Sequence, residues 1–113
     1  MRIHIIEDDP AVSDALAIVL SGLGHDTQCY FDAETFLSQP IPGTDDVVIV
    51  DLGLPGIGGE EVAKMLSGQS EPPRVIVISG RSQALLQRSL PDIASLTVLR
   101  KPLSLSTLTE HLN

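Results

Sequence analysis

A chain of 113 residues suits one domain with a real core and leaves no room for a second fold with its own interior, so residues 1–113 are expected to form a single unit. Apolar residues make up 42% of it and the formal net charge is −8, a balance that fits a globular protein and argues against direct binding to nucleic acid or an anionic membrane. The longest apolar runs, Val47–Val50 and Val75–Ile78, cannot span a bilayer, and the start of the chain lacks the basic-then-apolar build of a secretory leader, so a cytoplasmic location is expected. The lone Cys29 offers neither a disulfide framework nor a cysteine zinc cluster.

In chain order, Ile3, Ile5 and Ile6 form a short β-prone run that Glu7-Asp8-Asp9-Pro10 halts. Asp9 can cap a helix whose first turn suits Pro10, and Val12, Leu16, Val19, Leu20 and Leu23 recur at helical spacing until Gly22 and Gly24 break it. Thr27–Phe31 reads as a weak second strand, and Asp32 offers a cap for a short helix carrying Phe36 and Leu37 before Pro40, Pro42 and Gly43. Val47–Val50 is apolar without alternation, as a strand covered on both faces must be, and it runs straight into Asp51. A turn-rich loop with Gly53, Pro55, Gly56, Gly58 and Gly59 leads to a helix over Glu60–Leu66, with Val62, Ala63 and Leu66 on its apolar face. Val75–Ile78 makes a fourth strand ending in Ser79-Gly80, and Leu96–Leu99 a fifth ending in Arg100-Lys101-Pro102. Between them, Leu85, Leu86 and Leu90 hint at a helix that Pro91 cuts short. Leu103, Leu105, Leu108 and Leu112 suggest a last one.

Strands alternating with helices imply an α/β domain whose parallel sheet carries helices on both faces, with the flavodoxin-like strand order 2-1-3-4-5 as the natural expectation. Polar sites in such sheets lie beyond the carboxyl ends of the strands, where strand order reverses. Glu7, Asp8, Asp51, Ser79 and Lys101 all fall at strand ends: three carboxylates, a hydroxyl and an ammonium. Crowded carboxylates hold their protons unless a cation keeps them ionised, and oxygen-only ligands favour Mg²⁺, with Mn²⁺ as the alternative. With Asp51 as nucleophile the product would be an aspartyl phosphate, its charge neutralised by the metal and Lys101. Taken singly, each acid also fits a helix cap or a solvated loop, and Lys101-Pro102 and Ser79-Gly80 fit ordinary turns. The joint arrangement carries the reading. His4 and His25 are expected to be structural or partly exposed, and His111 lies near a helix end.

The stretches Ile5-Ile6-Glu7-Asp8-Asp9-Pro10, Val48 through Gly56, Val77-Ile78-Ser79-Gly80 and Leu99-Arg100-Lys101-Pro102 resemble, in order and spacing, the receiver domains of bacterial two-component response regulators. The resemblance covers essentially the whole chain. It implies that Glu7, Asp8 and Asp51 bind Mg²⁺ with help from the Gly53 carbonyl, and that Asp51 accepts the phosphoryl group. It further implies that Ser79 and Lys101 engage the phosphoryl oxygens, that a histidine kinase or histidine phosphotransfer protein is the donor, and that the receiver catalyses its own phosphorylation and slow dephosphorylation. Output to an effector domain or a downstream protein, with or without homodimer formation, follows from the same likeness. Two departures stand out: Val98 occupies a position often aromatic in the family, and residues 81–95 lack the family's Ala/Gly pattern. The competing reading is a phosphohydrolase with an aspartyl nucleophile, yet such enzymes typically place a second aspartate where Gly53 stands.

Overall fold

The computed structural model describes residues 2–54, 56, 58–80, 97–101 and 104–112. Five strands, β1 (Arg2–Ile6), β2 (Asp26–Tyr30), β3 (Val47–Asp51), β4 (Arg74–Ser79) and β5 (Thr97–Arg100), form one parallel sheet in the order β2-β1-β3-β4-β5. The described helices are α1 (Pro10–Gly22), α2 (Ala33–Leu37), α3 (Gly59–Ser67) and α4 (Leu105–Leu112). The expected α/β architecture and strand order are therefore observed. The suggested helix within residues 81–95, Leu96 at the start of the expected fifth strand, and Leu103 at the start of the last helix lie outside the described residues, and that strand runs one residue further than expected, to Arg100.

Side chains alternate across a strand, so a strand sandwiched between helices must be apolar on both sides. β3 meets this demand in full, since every residue from Val47 to Asp51 is buried. Val48, Val50, Ile6 and Val77 face a core closed by Ala33 and Phe36 of α2 and by Val62, Ala63 and Leu66 of α3. Ile3, Ile5, Val47, Ile49, Ile76 and Ile78 face the other core, closed by Leu16 and Leu20 of α1 and by Leu108 and Leu112 of α4.

Local signals act as read. Asp9 caps α1 by accepting from Ala11 N–H at 2.9 Å with Pro10 in the first turn, and Asp32 caps α2 by accepting from Thr35 N–H at 2.7 Å. Two details differ. Leu23 is 52% exposed because α1 ends at Gly22 and Leu23 follows it, while Ser13 shares the buried face with Leu16 and Leu20. β2 ends at Tyr30, one residue early, which leaves Phe31 in solvent. His4 is buried within the sheet, with its ring nitrogens 3.2 Å from the Tyr30 hydroxyl and 3.2 Å from Asp46. The Tyr30 ring meets Phe36 edge-on at 5.2 Å, and burial pushes its phenol above the ordinary value.

One glycine is required by close approach. A Cβ at Gly59 would run into the carbonyl oxygen of Asp51 and, at 2.8 Å, the Leu52 α-carbon. Both are backbone and cannot swing aside, so α3 starts directly against the end of β3. Gly59→Ala is expected to lower stability by about 2–3 kcal/mol. Urea unfolding of the two proteins measures it, and an unchanged midpoint would show that α3 can shift freely.

Candidate functional site

Parallel pairing of β1 with β3 sets Ile6 opposite Val50, so the next residues of the two strands, Glu7 and Asp51, emerge side by side at the carboxyl edge. Tyr30 on the far side of β1 fixes the first of these, because its carbonyl accepts the Glu7 N–H at 3.0 Å. Glu7 is completely buried, Asp51 is 4% exposed, and Asp8, one residue on, faces solvent. Ligand oxygens of Glu7, Asp8 and Asp51 lie within 4.8 Å of one another.

β5 supplies the counter-charge. Its end is tied to β4 through Lys101 N–H donating to the Ser79 carbonyl at 2.9 Å. The Lys101 ammonium then donates to Glu7 Oε1 and Asp51 Oδ2, both at 3.2 Å, while Gly53 N–H donates to Asp51 Oδ1 at 3.0 Å. Ser79 is buried at the tip of β4, one position beyond Ile78, the sheet partner of Asp51. The structure thus gathers Glu7, Asp8, Asp51, Gly53 and Lys101 at one point, with Ser79 on the adjoining strand tip. Sequence reading missed the Tyr30 carbonyl and the contact at Gly59, for which only backbone geometry gives a signal.

Two carboxylates and one ammonium leave an imbalance. Burial, with Asp51 alongside, pushes Glu7 up to about 8, although Lys101 pulls the other way. Burial also acts to raise Asp51, but the Glu7 carboxyl, the Gly53 N–H and Lys101 outweigh it and hold Asp51 below its ordinary value. Burial acts to lower Lys101, and its two carboxylate partners outweigh that and raise it. The shifts have opposite signs across the pair: Glu7 is drawn toward its protonated form, while Asp51 and Lys101 are drawn toward their charged forms. Glu7 Oε2 is closed off from solvent and meets no hydrogen-bond donor among the described residues. A divalent cation would satisfy it in place of the proton, and an all-oxygen set suits a hard ion such as Mg²⁺.

Among known proteins, the family model for the response regulator receiver domain matches residues 3–113. The transcriptional regulatory protein FixJ of Azorhizobium caulinodans is 30% identical over 102 residues, which is 90% of this chain and 48% of that protein. The DNA-binding response regulator MtrA of Mycolicibacterium smegmatis is 37% identical over 76 residues, 67% of this chain and 33% of the relative. The chain thus spans half or less of the length of these relatives. Among solved structures, the response regulator TrrA from Thermotoga maritima in complex with Mg²⁺-BeF superposes with a TM-score of 0.82 at 25% identity, covering 98% of this chain and 95% of that one. The BeF3-activated DrrB receiver domain superposes with a TM-score of 0.84 at 20% identity over 98% of this chain and 92% of that one, a likeness of fold.

The proton on Glu7 makes stability depend on pH. Burial and the neighbouring Asp51 push Glu7 up to about 8 in the folded protein, against an ordinary 4.5. Its contribution is fully present below the lower value and is lost as the pH rises to the upper one. Asp51 has the opposite sign, stabilising above its ordinary 3.8 and ceasing to do so in acid. Glu7→Gln, a permanently neutral isostere, is expected to shrink the stability difference between about pH 5 and about pH 8, in chelator, by an amount on the order of a few kcal/mol. Chemical denaturation at the two pH values checks this, and parallel losses in both proteins would place the proton elsewhere.

Proposed function

The chain belongs to the response regulator receiver domains of two-component signalling, and on that footing we propose that Asp51 is its phosphoacceptor, working beside a Mg²⁺ held by Glu7, Asp8, Asp51 and the Gly53 carbonyl. The observation that carries the reading is the Lys101 ammonium bridging Glu7 and Asp51 at 3.2 Å each, with the Asp8 carboxylate in the same cluster. Mn²⁺ would fit the same oxygens.

In the proposed reaction, an Asp51 carboxylate oxygen attacks phosphorus while the bond from phosphorus to the donor breaks. For a phosphohistidine donor, the electron pair and a proton end on the imidazole. Gly53 N–H holds Asp51 Oδ1, which fixes the plane of the attacking carboxylate, and Lys101 stands where it can neutralise charge on the transferring oxygens. When bound, Mg²⁺ supplies further neutralisation of those oxygens. The product adds nearly two negative charges to a site that already contains Glu7 and Asp8. We assign to the Ser79 hydroxyl a hydrogen bond to the phosphoryl group, and to slow loss of that group the return to the resting state. A phosphohydrolase reading gains nothing from Gly53, because no carboxyl side chain stands there to protonate a leaving group.

A histidine kinase or histidine phosphotransfer protein is the proposed donor, in the cytoplasm. Half or less of each relative's length is matched, and those relatives are named as transcriptional or DNA-binding regulators, so an effector domain or a downstream protein is the proposed recipient of the signal. No helix of the described residues is long and apolar enough to cross a membrane.

Incubation with a small phosphodonor and Mg²⁺ is expected to add one phosphoryl group, read by intact mass and mapped by peptide sequencing to Asp51. Asp51→Asn should abolish uptake, and Lys101→Ala should slow it by roughly a hundredfold, a loss of the size seen when one charge-stabilising donor is removed. Uptake that survives Asp51→Asn would sink the assignment. Sizing the protein with Mg²⁺ and beryllofluoride is expected to give either a stable monomer or a dimer that appears only with the mimic. A dimer of equal strength without it would rule out phosphorylation-driven assembly.

A further inference from the structure

Glu34 lies in the first turn of α2, a helix fixed in place by the Asp32 cap and by Ala33 and Phe36 seated in the core. Its carboxylate reaches over the loop that leaves β3. A Cβ built on Gly56 would stand 2.9 Å from Glu34 Oε2 and 3.3 Å from Oε1, so the two oxygens occupy the volume that any other residue's side chain would need. Gly56 has φ of 69°, in the left-handed region, so the backbone favours glycine there, and a larger residue would also have to displace the flexible end of Glu34. The loop has two other anchors. Leu54 is buried in the core below α2 and α3, and Gly59 abuts the carbonyl of Asp51. Gly56 lies between them, and Glu34 covers it.

The same corner of the fold reaches the other half of the site. Phe36 of α2 packs on the Tyr30 ring, and the Tyr30 carbonyl holds the Glu7 N–H. One short segment, Tyr30–Phe36, therefore touches Glu7 through a backbone carbonyl and the Asp51 loop through a carboxylate. We propose that Glu34 is a positioning residue that clamps the loop at Gly56, so that the Gly53 carbonyl and the Asp51 carboxylate, which the Gly53 N–H holds in place, are set for the cation before it arrives. This rests on the phosphoacceptor reading and adds to it a residue outside the strand tips. In this role Glu34 acts through the loop backbone rather than on a reacting atom.

The test uses the full chain with Glu34→Ala, Glu34→Gln, Gly56→Ala and the double variant Glu34→Ala/Gly56→Ala. With a clamp, Gly56→Ala perturbs the unfolding equilibrium less once Glu34 is truncated, the two effects departing from additivity by about threefold or more in the unfolding constant. Strictly additive effects would overturn the contact. Mg²⁺ titration then separates positioning from mere support: Glu34→Ala is expected to weaken binding by roughly three- to tenfold, while Glu34→Gln, which keeps length and one oxygen, stays close to the parent. Parental Mg²⁺ affinity in Glu34→Ala, or equal losses in both variants, would overturn the clamp. A parent protein that binds Mg²⁺ but takes up no phosphoryl group would sink the phosphoacceptor reading alone, since the cycle and the titration still decide the role of Glu34.

Discussion

Lys101 shared between two buried carboxylates is the interaction on which the site depends. Parallel pairing of β1 and β3 forces Glu7 and Asp51 together, and close, desolvated like charges are costly unless something neutral or positive stands between them. Lys101 offsets part of that cost, and the remainder shows in the Glu7 carboxyl, which burial and Asp51 push up to about 8.

The rest of the molecule divides into parts that hold this geometry and parts that can respond to it. β3 is buried along its whole length and gripped by strands on both sides, so Asp51 rides on the central strand of the sheet. Immediately beyond it the chain becomes glycine-rich, with Gly53 and Gly56 on the way to the helix that starts at Gly59. Val98 on β5 packs against the core under α2 and α3 as a partly buried aliphatic residue. A bulky ring swinging between two positions is therefore not available at that place, and the tip of β5 is tied to β4 through the backbone link from Lys101 to Ser79.

Much of this was legible in the residues because the determining interactions are local or periodic. The unbroken apolar run Val47–Val50 announced a strand covered on both faces, and acids directly after two such runs announced where the polar edge lay. Asp9-Pro10 and Asp32 marked helix starts whose hydrogen bonds reach only two or three residues ahead. What remained hidden depends on distant parts of the chain. Nothing in the neighbourhood of Ser13 distinguishes it from a solvent-facing serine, and Leu23 looked apolar-periodic until the helix ended one residue sooner. His4 gains its partners from positions 26 and 42 residues away, and Glu34 meets Gly56 only once two separate βα units are docked. Glycine at 56 and 59 read as turn chemistry, whereas Gly59 also serves a contact between helix and strand.

Tyr30 has one more consequence. The chain contains no tryptophan and a single tyrosine, so its near-ultraviolet emission comes from one phenol. That phenol is bonded to His4, stacked within the core, and carried by the residue whose carbonyl secures Glu7. The protein thereby holds a native chromophore one backbone hydrogen bond from its acidic cluster, where an optical probe would otherwise require an attached dye.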